Sequence, residues 1–460
     1  MRKFILVLAV SAIVLFGCSN TAEERDLLKP FVLLENNLKN KTVDTEVESI
    51  DGLITQDDME NDLLSFIANI NGADDTRSIN NKFVIELRDK TQLSDGNDNS
   101  DSRSIGETDE NAIEVFLYDV YNAENGSLGF AITSNDLRIG SVLAVVDDCS
   151  VDTECAQPFL NIFASKLNEY IYEKTHEIEA DSRGLEETGI NPSNYIYDLK
   201  SRVENLAYDK AMLKTRWGQR EPYNKFLSGC VTGCAPIAMA QIFTQLEYNW
   251  QGLIGFDWKA MKANPYAEKL SSSVQDQIAL LVRLLGVGMN ATFSPVATTA
   301  SIDNVKSYLN KNKFAYIESY YNSDVVKNSL SSGIPVLCIG GDAIYYNKGV
   351  TQVAGGHAWV IDGYKNFTCT VKDKKTGKES RITDDFVHCN MGWDGTCNGY
   401  YRGAVFNVKE IAYSDTNKYY QNGQVFTILW IGIYADRNEG YYRYDVKTIS
   451  HIVPDFSKGN

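Results

Sequence analysis

The chain has 460 residues, of which 43% are hydrophobic and 11% aromatic, and a formal net charge of −17 at pH 7. That length predicts two or three units rather than one domain, and the composition is globular, not disordered. The negative charge argues against nucleic acid as a partner, because phosphates would be repelled.

Arg2 and Lys3 precede the apolar run Phe4 to Phe16. The run is too short to span a bilayer comfortably and reads as the core of an export signal. It ends in Leu15-Phe16-Gly17-Cys18, which resembles the lipobox of bacterial lipoproteins. The resemblance implies loss of residues 1–17, a lipid on Cys18 and anchoring to a membrane, in the periplasm or at the cell surface. Export makes disulfides permissible. Of the nine cysteines, Cys149/Cys155 and Cys389/Cys397 are close enough to close small loops, but spacing leaves the connectivity open.

Residues 19 to about 110 are polar and acidic. Ser19 to Asp26 reads as a tether, and Asp58 to Asn71 has the spacing of a short helix. The acidic stretch Asp95 to Asp101 reads as a solvated loop, since no glutamate closes it as an EF-hand would require. Strands are expected at Ala112 to Val120, Gly129 to Ser134 and Ser141 to Val146, the first two joined by a hairpin turn at Asn122 to Ser127. Phe159 to Ile178 predicts an amphipathic helix with Phe159, Ile162, Phe163, Leu167 and Ile171 on one stripe. Asp181 to Asn194 is Gly-, Ser- and charge-rich and includes Arg183-Gly184, the composition of a linker open to proteolytic nicking. A domain boundary is expected between about 181 and 200. Helices around Val274 to Leu285 and Thr299 to Asn310 follow, then antiparallel strands after Ile334. A helical half followed by a strand half predicts an α+β fold.

The chemistry centres on Gly229 to Ile242. A glycine-containing turn delivers Cys234 to the first turn of an Ala- and Met-rich helix, with Thr232 as a cap and Pro236 where its missing N–H costs nothing. A thiol there meets unpaired backbone N–H groups and the positive end of the helix dipole, which favour the nucleophilic thiolate. A buried pair of Cys230 and Cys234, or half a metal site, is the alternative on this segment alone.

A cysteine nucleophile needs a base. Of the four histidines, His176 falls on the helix of the first unit and His451 in the C-terminal tail. His357, after two glycines and at the start of an apolar strand, is the candidate. Asn390 offers an orienting partner and Trp393 a cover against water. His388 shares a strand face with Asn390 and is the rival base. Zinc on Cys230, Cys234 and a histidine lacks a convincing fourth ligand.

The combination of Leu213-Lys214-Thr215, Trp217-Gly218-Gln219, Pro222-Tyr223-Asn224, Thr232-Gly233-Cys234 with Ala238-Met239-Ala240-Gln241, Gly356-His357-Ala358 with Val360-Ile361-Asp362-Gly363, and Asn390-Met391-Gly392-Trp393 resembles the streptopain family. These are secreted bacterial cysteine peptidases with a papain-like fold. Gly129 to Arg138 and Val142-Leu143-Ala144 resemble that family's inhibitory propeptide. The resemblance implies a tether and propeptide over 18–190 and a catalytic domain over 191–460. It implies Cys234 as nucleophile, His357 as base, Gln219 as oxyanion donor, and Asn390 and Trp393 as orienting and shielding groups. Met391 stands where the family usually has tryptophan. The expectation is a latent cysteine endopeptidase that needs no metal or organic cofactor. Its partners would be protein or peptide substrates, host proteins among them, and its own propeptide. An inactive surface-binding lipoprotein and a papain-like acyltransferase are the alternatives.

Overall fold

The computed structural model describes residues 53–71, 82–93, 113–151 except 138, parts of 159–174, 212–248, 255–407 except 348, 349 and 374, and 446–455, with backbone alone at 195–208 and 341–355. The export segment, Cys18, the tether, the acidic loop, His176 and the linker lie outside the described residues.

Helix α1 (Gln56–Ile70) starts where the Thr55 hydroxyl accepts the Asp58 N–H at 3.2 Å, and it buries Met59, Leu63, Phe66 and Ile67. Strands β1 (Phe83–Leu93), β2 (Ile113–Asn122), β3 (Leu128–Ser134) and β4 (Val142–Val146) form an antiparallel meander. The expected hairpin turn joins β2 to β3. The described residues between 159 and 174 are helical and are labelled α2, and all five residues of the expected stripe are fully buried. Next comes β5 (Tyr195–Tyr208).

The long central helix α3 (Cys234–Leu246) precedes α4 (Ser272–Gly288) and α5 (Ile302–Lys311), the last closed by a reciprocal Ser301–Asn304 capping box. Strand β6 (Phe314–Tyr320) and helix α6 (Ser323–Ser331) lead into β7 (Val336–Asn347), β8 (Val350–Asp373), β9 (Glu379–Asn390), β10 (Gly399–Arg402) and β11 (Val446–Pro454). The α+β expectation is borne out.

One antiparallel sheet runs through the described chain in the order β1-β2-β3-β4-β10-β9-β8-β7-β11-β6, with β5 paired to β8. Its N-terminal meander joins the C-terminal strands where Ala144, Val145 and Val146 of β4 pair with Tyr401, Tyr400 and Gly399 of β10. A disulfide between Cys149 and Cys397 closes the end of this strand pair. The two short loops suggested by cysteine spacing are therefore not formed, because strand pairing sets Cys149 and Cys397 side by side although 248 residues separate them.

The central strands are covered on both faces. Cys338, Trp359 and Ile361 belong to a core shared with α2, whereas Leu337, Ala358 and Val360 pack with α3, α4 and α5. This alternation is the period of two expected of a strand. It breaks at Asp362, where the β8–β9 register shifts between Ile361 and Gly363. His451 sits in β11, which pairs with both β6 and β7, and not in a loose tail.

Candidate active site

Cys234 is the first residue of α3. The cap residue is Gly233, at φ 83°, with no side-chain cap bond. Thr232 is not the cap: its hydroxyl donates to the Gly233 carbonyl at 3.3 Å. A Cβ at position 233 would lie 2.8 Å from the Thr298 carbonyl oxygen, so both the dihedral and the close approach require glycine. The segment entering α3 is clamped on two sides. Thr232 N–H donates to the Gln219 carbonyl at 3.0 Å, Val231 N–H donates to the Ser294 carbonyl at 3.0 Å, and the Val231 carbonyl accepts from the Thr298 hydroxyl at 2.6 Å. Gln219 is thus held beside the residues that deliver Cys234. Pro236 lies in the first turn, and Cys234 stays partly exposed at the helix end while residues 235–244 are buried.

His357 opens the apolar part of β8 and is only 4% exposed. Its Nε2 lies 2.9 Å from the Met391 carbonyl oxygen, so Nε2–H donates there and Nδ1 keeps its lone pair. The imidazole stacks on Trp393 with centroids 4.1 Å apart and planes 21° apart, and runs parallel to Trp359 at 6.3 Å. Phe159 of α2 presents an edge to it at 6.5 Å. Burial pulls the His357 pKa down from 6.5 to about 3, opposed by the bond to Met391. In this covered state the ring is neutral at pH 7.

The Met391-Gly392-Trp393 turn reaches the helix that begins at Cys234. Gly392 has φ 71°, and a Cβ there would come within 2.8 Å of Ile237 Cγ2, one turn along α3 from Cys234. The residue between the carbonyl that holds His357 and the indole that covers it therefore touches the first turns of α3.

The structure does not bring Asn390 to His357. Asn390 pairs with Val360 across β8 and β9, and so projects to the α3 face, opposite to that of Trp359. Its amide donates to the Thr215 carbonyl at 2.9 Å and to Gln241 Oε1 at 3.4 Å, and its Oδ1 accepts from Gln241 Nε2 and Gly392 N–H, each at 3.2 Å. The partner of the imidazole is the next residue's carbonyl, which a side-chain reading of the motif does not reveal. Gln241 itself, 0% exposed, also accepts the Thr215 hydroxyl at 2.9 Å and the Trp217 N–H at 3.2 Å. The sequence marks it only as the last residue of the Ala238-Met239-Ala240-Gln241 motif, with no role attached.

His388, the rival base, is taken up elsewhere. Its Nδ1 lies 2.6 Å from Asp362 Oδ1, while Asp362 also accepts N–H groups from Met212 (2.9 Å) and Leu213 (3.2 Å). The β8 bulge turns Asp362 into this pin for the incoming chain. Burial pushes the thiols of Cys338 and Cys389 well up, so neither suits nucleophilic work. Among the described residues, no group of three or more His, Cys, Asp or Glu side chains is placed to hold a metal ion.

Comparison with known proteins agrees with this reading of the fold and motifs. Residues 217–401 match the model of the Peptidase C10 family. The chain is 26% identical to streptopain of Streptococcus pyogenes serotype M28 (strain MGAS6180), over 63% of this chain and 74% of that protein. It is 25% identical to streptopain of serotype M1 over the same shares. The resemblance to the streptopain family is borne out, and the comparisons support a cysteine peptidase.

Proposed function

We propose that this chain, resembling the streptopain family over its matched segment, is an exported, lipid-anchored cysteine endopeptidase made in a latent form. The observation that carries the reading is the junction of α3 with the 391–393 turn. There Gly392 meets Ile237, one turn along α3 from the helix-terminal Cys234, and the same turn holds and covers His357, inside the matched segment.

The chemistry is acyl transfer to sulfur, then to water. His357 Nδ1, left with its lone pair, takes the Cys234 proton. The thiolate attacks the scissile carbonyl carbon, and the oxyanion is held by the Cys234 N–H at the helix start and the Gln219 amide. An amide suits that place because it donates without adding a charge that would disturb the thiolate–imidazolium pair. The imidazolium returns its proton to the leaving amine as the C–N bond breaks. Water, deprotonated by His357, then hydrolyses the thioester and restores the thiol. The Met391 carbonyl steadies the imidazolium through Nε2–H, and Trp393 shields it. The substrates are proteins or peptides.

Latency is the role proposed for the part before the linker. Phe159 and the rest of the α2 stripe pack on the face that carries His357 and Trp359. That burial holds the ring neutral and so removes the partner that would stabilise the thiolate. Cutting within 181–194 would allow this cover to leave.

The test is incubation of purified precursor, wild type against Cys234→Ala, with N-terminal sequencing of products and a casein assay. Wild type is expected to become active and Cys234→Ala to remain inert. Casein cleavage by Cys234→Ala would overturn the proposal.

A further inference from the structure

We infer that Gln241 is a positioning residue for the proposed reaction. Three segments carry its candidate groups: the start of α3 with Cys234, the 215–219 segment with Gln219, and the 390–393 turn that holds His357. From α3, the Gln241 side chain bonds to both of the others. Its Oε1 accepts from the Thr215 hydroxyl, the Trp217 N–H and the Asn390 amide, and its Nε2 donates to Asn390 Oδ1. Asn390 in turn bonds the Thr215 carbonyl and the Gly392 N–H. The amide pair is wholly buried, with Gln241 0% and Asn390 2% exposed, so no water replaces a lost partner. A small shift of the Trp217-Gly218-Gln219 segment or the 391–393 turn against α3 moves the oxyanion donor or the base relative to the thiol. Misplacement of that kind costs on the order of 100-fold in rate at about 1 Å.

This inference rests on Cys234 acting as nucleophile. Its test compares linker-cleaved wild type, Gln241→Leu and Gln241→Glu, with turnover counted per Cys234 titrated by an alkylating probe. Gln241→Leu is expected to lose about 10- to 100-fold in kcat with KM nearly unchanged. Gln241→Glu, which keeps the acceptor oxygen but loses the donor to Asn390 Oδ1, should recover only part of it. A folded Gln241→Leu with wild-type kcat per titrated thiol overturns the inference. Should that variant fail to fold, Thr215→Val serves, since it deletes only one bond to Gln241, and a wild-type kcat per thiol there overturns it equally. Wild type without turnover would instead overturn the peptidase reading, so the two failures are distinct.

A second inference comes from the Cys149–Cys397 disulfide. Cys149 follows β4, Cys397 precedes β10, and the Asp147 N–H donates to the Asn398 carbonyl at 2.8 Å beside the bridge. The linker at 181–194 lies between the two cysteines in sequence. We propose that cutting the linker leaves the N-terminal part covalently attached, so release takes a second step, reduction by an external thiol or dithiol. In that step two electrons and two protons pass to the bridge. Its S–S bond breaks to give the Cys149 and Cys397 thiols, and the reductant becomes a disulfide.

Reductant raises the activity of a thiol peptidase in any case, so fragment release is the readout. Protein nicked in the linker is run on denaturing gels with and without reductant, beside the Cys149→Ser/Cys397→Ser variant. Nicked wild type is expected to run as one species until reduced, and the variant as two fragments throughout. Two fragments from unreduced wild type overturn the proposal, and that lane alone decides it if the variant does not fold. A variant that sheds its N-terminal fragment yet gains no activity would count against the latency reading and leave the tether intact.

Discussion

His357 and Asn390 project from opposite faces of the same strand pair. His357 shares the face of Trp359 beneath α2, and Asn390, paired with Val360, reaches through the other face to Gln241 on α3. The imidazole is oriented by a backbone carbonyl, and the asparagine ties the strands to α3. Asn390 and Gln241 should therefore behave as a unit. In a double-mutant cycle of Asn390→Leu and Gln241→Leu, the double variant should be little worse than either single one, with a coupling of about 0.5–3 kcal/mol in unfolding free energy. Additive losses would show that the two amides act separately.

Phe159 touches the imidazole but belongs to the part of the chain proposed to be removed. Phe159→Ala should let water reach His357 and raise its pKa from about 3 toward 6.5. The precursor should lose about 3–5 kcal/mol of stability and its Cys234 should alkylate faster at pH 7. Unchanged alkylation in a folded variant would remove Phe159 from the latency mechanism.

The depressed pKa of His357 has a defined consequence for stability. Between about pH 3 and 6.5 the unfolded histidine holds a proton that the folded one lacks. Stability from this group is complete above pH 6.5 and is lost as pH falls through that window toward 3. Urea midpoints measured from pH 7.5 to 4.5 should fall more steeply for the wild-type precursor than for His357→Gln. Parallel curves would contradict it.

Arg402 of β10 is buried and ties the two parts of the chain together. It pairs with Asp384, and it donates to the Tyr170 hydroxyl of α2 and the Val142 carbonyl of β4, each at 3.4 Å. Arg402→Met removes the buried guanidinium that bonds Asp384, Tyr170 and Val142, and should cost the precursor on the order of 1–3 kcal/mol of stability. Arg402→Lys should not restore it, because one ammonium cannot reproduce the guanidinium's several directed bonds. Thermal unfolding of the three precursors tests this.

Much of the architecture was legible in the chain. The α2 stripe, the β2–β3 hairpin and the helix beginning at Cys234 follow from periodicity and turn residues, and those signals are local. What escaped depends on pairing between distant strands. The Cys149–Cys397 bridge needs the β4–β10 register, the Asp362–His388 contact needs a bulge that strict alternation does not contain, and the facing of Asn390 needs its partner Val360. Gln241 was hidden for another reason: a polar residue in an apolar helix shows its partners only once the strands around it are placed. The Thr232 cap failed because the close approach of Thr298 admits only glycine at the helix entrance.

The β4–β10 pairing also bears on the order in which the molecule folds. Strands β1 to β4 contact their sequence neighbours, so the meander closes short loops, whereas the join at Cys149 and Cys397 closes one of 248 residues. Contacts across short separations form early, and long loops lose more chain entropy on closure. The meander is synthesised first and offers β4 as a finished edge on which β10, only four residues long, can be laid. A chain expressed without its first 190 residues would have to settle β10 against β9 alone, and slow or incomplete refolding of that half is the expected result.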